Sequence, residues 1–217
     1  MKFEAVIFDL DGTLLDTLRD IADAGNAVLA GNGFPTHDVD AYRGFIGSGV
    51  PTLMNRALPK EKRNLETATR LADEFREEYN RNWNVSTKPY PGVAEMLDQL
   101  QSLSIKRAVL SNKPHDFAKL CVNGLLSSWT FDAVMGYNDQ TPPKPDPKGA
   151  LRIAARLKLS PSRILYVGDS DIDMRTAITA EMYPIGVLWG FRSKEELLEN
   201  GARALLEKPQ DLLAFFR

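Results

Sequence analysis

The chain has 217 residues, of which 43% are hydrophobic, and a formal net charge of −2 at pH 7. This length suffices for one domain with a sizeable core, or for one domain and a smaller one. The slight acidity gives no reason to expect nucleic acid or an anionic membrane as a partner. The single cysteine, Cys121, excludes an intramolecular disulfide and is typical of a reducing compartment. The N-terminal apolar run is short and ends in acids, and no apolar run reaches 18 residues, so we expect a cytoplasmic protein without a signal peptide or membrane span.

Short apolar runs alternate with helical patterns along most of the chain. The runs predict strands at 3–8, 105–111, 131–136, 163–168 and 184–190, and the intervening patterns predict helices at 93–103, 115–126, 147–158 and 171–181. The runs are almost continuously apolar, which is typical of strands buried on both faces. Alternating strands and helices predict parallel βαβ units with right-handed crossovers, and therefore an α/β fold with a doubly wound parallel sheet.

The region from 16 to 88 departs from this alternation. Its apolar residues recur at helical spacing and no strand pattern is evident, while turn signals fall at Gly31-Asn32-Gly33 and Gly47-Ser48-Gly49. The return segment "TKPYPG" (87–92) contains two prolines and a glycine, as a hinge or linker does. We therefore predict a core domain of 1–15 and 89–217, with a small α-helical domain of 16–88 inserted after the first strand.

Polar side chains follow four of the predicted strands. In chain order they are Asp9, Asp11 and Thr13; Ser111, Asn112 and Lys113; Lys144; and Asp169 and Asp173. In open parallel sheets, ligands bind outside the carboxyl ends of the strands. These side chains are therefore expected to converge on one edge of the sheet and to form a site.

The acids of this set suit metal-assisted phosphoryl transfer. Asp9, Asp169 and Asp173 can share one hard divalent cation, and Mg²⁺ suits a site of carboxylates, waters and a substrate phosphate oxygen. Asp9, at the strand tip, is the candidate nucleophile that would form an aspartyl-phosphate. Asp11 is placed to protonate the leaving oxygen and then to deprotonate the attacking water, and its backbone carbonyl can also serve the metal.

The remaining polar residues suit the phosphate group. The hydroxyls of Thr13 or Ser111, and the backbone N–H groups near Gly12 and Asn112, can hold phosphoryl oxygens. Lys144 would bring positive charge to the nucleophile and to the transition state. Together these residues indicate phosphoryl transfer through a covalent intermediate.

These motifs resemble those of the haloacid dehalogenase superfamily over essentially the whole chain. "DLDGT" (9–13) matches the first motif, Ser111 the second, Lys144 the third and "GDSDID" (168–173) the fourth. The resemblance implies a Rossmann-like core with a small helical cap at 16–88. It also implies a nucleophile at Asp9, an acid/base at Asp11, catalytic roles for Ser111 and Lys144, and a Mg²⁺ site of Asp9, Asp11, Asp169 and Asp173.

Within the superfamily, the chain is most similar to the phosphoglycolate phosphatases. The similarity is carried by "RGFIGSGVPTLMNRAL" (43–58), "LSNKP" (110–114), "VGDSDIDM" (167–174) and "WGF" (189–191). It implies a phosphatase acting on a small phosphorylated metabolite, with 2-phosphoglycolate as the favoured substrate. Pyrophosphatases, sugar-phosphate phosphatases and nucleotidases share these motifs and stay as alternatives, as does a non-catalytic binding or regulatory homologue.

Four further residues are candidates for substrate contact. Arg43 is our hypothesis for a substrate carboxylate, because a two-carbon anion needs a second positive partner. Gly47 and Ser48 lie where related caps present a specificity loop, and Lys113 is a candidate for a position facing the cap. For Arg43 and Lys113, a solvated surface position is an equal alternative. Both a monomer and a homodimer stay open.

Overall fold

The structure is a computed structural model that describes residues 3–216. Its strands are β1 Ala5–Phe8, β2 Leu15–Asp16, β3 Lys88–Pro89, β4 Lys106–Pro114, β5 Ala133–Tyr137, β6 Ile164–Gly168, β7 Tyr183–Val187 and β8 Ala204–Leu206. Its α-helices are α1 Leu18–Gly31, α2 Tyr42–Phe45, α3 Val50–Ala57, α4 Leu65–Asn82, α5 Val93–Ser102, α6 His115–Leu125, α7 Lys148–Leu157, α8 Asp171–Thr179 and α9 Lys194–Glu199. Among these described residues, no helix combines the length and the apolar character that a membrane crossing requires.

The described residues form two compact units. One consists of the residues up to Leu15 together with those from Pro89 onward, and the other of Asp16–Lys88. The short strands β2 and β3 pair with each other as a two-stranded sheet, at the points where the chain passes from one unit to the other.

A parallel sheet of six described strands, in the order β5-β4-β1-β6-β7-β8, forms the first unit. All four residues of β1 and all five of β6 are buried, as their continuous apolar runs require. Helices α7 and α8 contribute Ile153 and Ala177 to a core that also contains Ile7 and Tyr166 of the sheet. The predicted doubly wound α/β sheet is therefore confirmed.

The predicted elements correspond to β1, β4, β5, β6 and β7 and to helices α5 to α8. Strand β4 is longer than predicted and reaches Pro114, after an irregularity in its pairing with β5. The prediction of strand for 188–190 is wrong, because β7 ends at Val187 and the chain then turns. The sequence patterns also missed α9, β8 and the two-residue strands β2 and β3, which take in Asp16 and Lys88 at the ends of the region without a strand pattern. Only one of the three residues of β8 is buried, so its periodicity is weak.

The second unit contains α1 to α4 and is held together by amphipathic faces. Helix α1 buries Ile21 and Leu29, and α4 buries Leu71, Phe75 and Tyr79. The rings of Phe75 and Tyr79 stack with their centroids 5.5 Å apart. Helix α4 begins at the cap Asn64, whose side chain accepts a hydrogen bond from Thr67 N–H at 2.8 Å. The helical spacing of apolar residues in 16–88 therefore corresponds to helices in the structure.

Asp20 joins the beginning of this unit to its end. It lies in the first turn of α1 and is 3% exposed. Its carboxylate accepts hydrogen bonds from Ser86 N–H at 2.9 and 3.0 Å, Thr87 N–H at 2.9 Å and the Thr87 hydroxyl at 2.7 Å. A buried carboxylate requires such partners, and here they fasten the segment before β3 to the helix that follows β2.

Candidate active site

The turn after β1 delivers the first acids to the carboxyl edge of the sheet. The backbone N–H of Asp9 still donates to Val167 of β6 at 2.9 Å, so Asp9 continues the line of the strand. Gly12 has φ +85°, and a Cβ at this position would lie 2.3 Å from Asp169 Oδ2. Only glycine allows both this backbone conformation and the close approach of the two loops.

A lysine and three carboxylates form the centre of the site. Lys144 Nζ lies 2.7 Å from Asp9 Oδ1 and 2.7 Å from Asp173 Oδ1. Asp169 completes the group, because one oxygen of each of the three acids lies within 4.8 Å of the others. All four side chains are buried. The carboxyl ends of β1 and β6, the start of α8 and the loop before α7 thus meet at one point.

Burial and crowding perturb the ionisation of this group. The pKa of Asp9 is raised well above its usual value, mainly by burial and also by Asp173 and Asp169, against the opposing effect of Lys144. Burial and the neighbouring Asp173 raise the pKa of Asp169 to about 7. Burial disfavours the Lys144 ammonium, but the charges of Asp173 and Asp9 outweigh this effect, so that its pKa is raised.

The donor set fits a divalent cation. Three buried carboxylates face one lysine, so the ionised cluster carries excess negative charge at the edge of the sheet. A hard cation with oxygen ligands relieves this repulsion and favours the ionised form of each acid. Asp9, Asp169 and Asp173 are therefore the residues that would hold the metal.

The loop after β7 fixes the orientation of Asp169. The backbone N–H of Phe191 donates to Asp169 Oδ2 at 2.7 Å, and the Thr13 hydroxyl lies 3.4 Å from Oδ1. Trp189 Nε1 donates to the Thr13 carbonyl at 3.0 Å. A Cβ on Gly190 would lie 2.2 Å from the Cβ of Asp169, so this loop also needs glycine. The sequence marks 189–191 only by similarity, because the bond to Asp169 comes from the Phe191 backbone and the Trp189 side chain bonds to a backbone carbonyl, and no side-chain pattern reveals either.

Asp173 is held by the start of its own helix. Ser170 is the N-cap of α8 and forms a capping box with Asp173. The Ser170 hydroxyl donates to Asp173 Oδ2 at 2.6 Å, while Oδ1 receives Lys144 Nζ. Helix capping therefore orients the carboxylate that holds the lysine.

A second ion pair lies at the same edge. Lys113 Nζ is 2.8 and 3.0 Å from the two oxygens of Asp11, with side chains 7% and 15% exposed. The buried Ser111 accepts the Lys113 backbone N–H at 3.1 Å. The Asp11 carboxylate is not in the three-acid group found among the described residues, so the metal role predicted for it rests on its backbone carbonyl.

The candidate specificity residues belong to the other unit. Arg43 lies in α2, is partly exposed, and forms an ion pair with Asp40 at 3.2 Å. Gly47 and Ser48 lie between α2 and α3, and Gly47 has φ +124°. The substrate contacts of these three residues stay predictions.

Comparisons with known proteins agree with this geometry. The model of the haloacid dehalogenase-like hydrolase family matches residues 6–187. A phosphoglycolate phosphatase of Aquifex aeolicus is 33% identical over 96% of this chain and 94% of its own. An N-acetylmuramic acid 6-phosphate phosphatase of Pseudomonas putida is 32% identical over 98% and 95%. The crystal structure of a Lactobacillus delbrueckii protein, provisionally named phosphoglycolate phosphatase, superposes with a TM-score of 0.93 at 30% identity over 99% of both chains.

Proposed function

This chain belongs to the haloacid dehalogenase-like hydrolase family and is a phosphatase; on that premise, we propose that it hydrolyses 2-phosphoglycolate to glycolate and phosphate, with Mg²⁺ and an aspartyl-phosphate intermediate. The observation that carries the chemical part of this proposal is the contact of Lys144 with both Asp9 and Asp173, beside Asp169. A buried cation on the nucleophile and a three-acid metal group are the two features that this reaction needs.

The first half of the reaction transfers the phosphoryl group to the enzyme. Asp9 attacks phosphorus through the oxygen that Lys144 does not hold, forming an aspartyl-phosphate as the bond to the ester oxygen breaks. Asp11, protonated once Lys113 has released it, gives its proton to the departing oxygen, which leaves as the alcohol. In the second half, Asp11 takes a proton from water, whose oxygen attacks phosphorus and releases Asp9 and inorganic phosphate.

Lys144 and the metal would each offset negative charge at the reacting group. Lys144 stabilises the carboxylate of Asp9 and offsets the charge that develops on the phosphoryl oxygens. Asp9, Asp169 and Asp173 would hold Mg²⁺, which would supply Lewis-acid neutralisation of the charge on the phosphoryl oxygens. The backbone N–H groups near Gly12 and Asn112 and the Ser111 hydroxyl are the proposed donors to those oxygens.

We also propose that 16–88 is a cap that closes over the substrate and excludes water. In this role Arg43 would bind the substrate carboxylate, which requires it to exchange its ion pair with Asp40 for the ligand. That pair is partly exposed, so breaking it costs about 1 kcal/mol or less. Gly47 and Ser48 would contribute the loop beside Arg43, and Lys113 would contact the phosphoryl group after release from Asp11.

The relatives favour one second candidate, N-acetylmuramic acid 6-phosphate, because phosphatases of that substrate match nearly the whole chain. This compound and 2-phosphoglycolate share a phosphate monoester and a carboxylate, so both fit an arginine in the cap. They differ in size, and a closed cap that fits a two-carbon acid cannot also enclose a substituted sugar.

A substrate series separates these possibilities. The series contains 2-phosphoglycolate, N-acetylmuramic acid 6-phosphate and, as a control without the carboxylate, N-acetylglucosamine 6-phosphate, ranked by kcat/KM in Mg²⁺. We expect 2-phosphoglycolate to rank first and Arg43→Ala to lower its kcat/KM more than that of the control. A higher rank for either sugar phosphate would overturn the substrate assignment, and no turnover of any ester would overturn the reaction.

A further inference from the structure

The loop that carries Lys144 has few backbone donors of its own. It reads "TPPKPDP" (141–147), and because proline has no N–H, Lys144 supplies the only backbone N–H between 142 and 145. The loop lies between the end of β5 at Tyr137 and the start of α7 at Lys148. Neither a strand ladder nor a helix therefore fixes the main chain of the residue whose ammonium bridges two carboxylates.

The side chain of Asn112 makes the bonds that the loop lacks. Its Oδ1 accepts a hydrogen bond from Lys144 N–H at 2.7 Å, and its Nδ2 donates to the Lys144 carbonyl at 3.1 Å. Asn112 lies near the carboxyl end of β4, next to the strand that leads to Asp9, and is buried. One amide thus satisfies both polar groups of the Lys144 backbone, 32 positions along the chain.

We propose that Asn112 is a positioning residue for Lys144, an inference that rests on the proposed function for the catalytic role of the lysine. By holding the main chain from both sides, Asn112 keeps Nζ within 2.7 Å of Asp9 and Asp173. The part predicted for its backbone N–H, toward a phosphoryl oxygen, is separate. The side chain acts on the lysine, whereas the backbone would act on the substrate.

The bonding pattern requires an amide. Alanine removes both bonds, and aspartate keeps the acceptor for Lys144 N–H but turns a carboxylate oxygen toward the Lys144 carbonyl, where only a donor fits. Asn112→Ala and Asn112→Asp therefore both release the lysine, although aspartate matches asparagine in size. Asn200→Ala is the matched control, because Asn200 also donates from its side chain to a backbone carbonyl, that of Glu196 at 2.8 Å, in the same unit.

The kinetic arm measures kcat and KM for the best substrate in saturating Mg²⁺. We expect both Asn112 variants to lose about 10²-fold in kcat with KM unchanged, because a misplaced catalytic group weakens the transition state and not substrate binding. The Asn200→Ala control should keep its kcat. A kcat close to that of the wild type would overturn the proposal. A raised KM with kcat unchanged would also overturn it, because that is the behaviour of a residue that only binds the substrate.

The second arm uses amide hydrogen exchange and needs no activity. In Asn112→Ala the Lys144 N–H should exchange faster, while the Asp9 N–H, bonded to Val167 in the sheet, should keep its rate. A general loss of stability would speed both. Unchanged exchange at Lys144 would overturn the proposal even if activity falls. Should the wild type hydrolyse no phosphate ester, the proposed function fails, and the exchange comparison alone still decides whether Asn112 holds Lys144.

Discussion

Replacing Asp169 with asparagine tests the electrostatic account of the site. In the metal-free protein the pKa of Asp169 is about 7 against an ordinary 3.8, because burial and Asp173 disfavour its carboxylate. The difference is about 3 pH units, so at about 1.4 kcal/mol each, keeping Asp169 ionised in the folded state costs about 4 kcal/mol. Asparagine has the same shape and still accepts the Phe191 N–H, so the substitution removes chiefly the charge.

The sign of the pH dependence follows from linkage. Folded Asp169 binds its proton more tightly than the unfolded chain does, so the wild type loses stability as pH rises from about 4 to about 7 and loses no more above that. Asp169→Asn lacks this loss. In a chelator the variant should therefore match the wild type near pH 4 and exceed its free energy of unfolding by about 4 kcal/mol at pH 8.

The assay is urea denaturation in a chelator across this pH range, repeated with Mg²⁺. Mg²⁺ should stabilise the wild type, because the folded protein alone holds the ligands together, and should stabilise the variant less. Asp171→Asn is the control, since Asp171 pairs with Arg175 at the surface of the adjoining helix α8, and the loss of such a partly exposed pair should change stability little. An Asp169→Asn variant that is less stable than the wild type at pH 8 in chelator, or a difference independent of pH, would refute the reasoning.

Three further predictions concern the supports of the site and the core. Gly190→Ala should lower kcat by about tenfold or more and raise the Mg²⁺ concentration needed for half-maximal activity, because its methyl group would displace Asp169. Steady-state kinetics with a Mg²⁺ titration measures both effects. Asp20→Ala should lower the free energy of unfolding by about 2 kcal/mol or more, because it leaves the Thr87 N–H buried without its acceptor; urea denaturation measures it. Cys121 should resist alkylation at pH 8 until the protein is unfolded, because burial raises its thiol pKa to about 11; mass spectrometry measures this.

Each of these has an outcome that counts against it. Normal Mg²⁺-dependent turnover by Gly190→Ala would mean that the loop after β7 accommodates a side chain. For Asp20→Ala, the comparison is Asp23→Ala, which removes only the exposed partner of Arg19; equal losses in the two variants would contradict a special role of Asp20. Rapid alkylation of the native thiol would show that the core around Cys121 opens readily.

The sheet and its site were accessible from the sequence because both rest on local signals. Continuous apolar runs identified the central strands, since a strand buried on both faces has no polar side to interrupt the run. The polar residues at their ends were then brought together by the one rule that parallel strands share a carboxyl edge. Asp9, Lys144, Asp169 and Asp173 meet for this reason.

What the sequence could not reveal depends on contacts without a side-chain signature. The backbone N–H of Phe191 holds the side chain of Asp169. The side chain of Asn112 holds the backbone N–H and carbonyl of Lys144. The pairing of Lys113 with Asp11 depends on how the end of β4 lies beside the turn after β1, which side-chain patterns leave open. Strand β8 was missed because an edge strand of three residues is too short to show a period.

The most direct test of the central claim is to trap the phosphoryl group on the enzyme. The protein is mixed with excess 2-phosphoglycolate and Mg²⁺, quenched in acid within the first turnover, digested and analysed by mass spectrometry. The account predicts a hydroxylamine-sensitive phosphoryl group on the peptide that contains Asp9, absent from Asp9→Asn, whose kcat should fall by orders of magnitude. Hydrolysis by Asp9→Asn at the wild-type rate, or a phosphoryl group trapped at another residue, would contradict it.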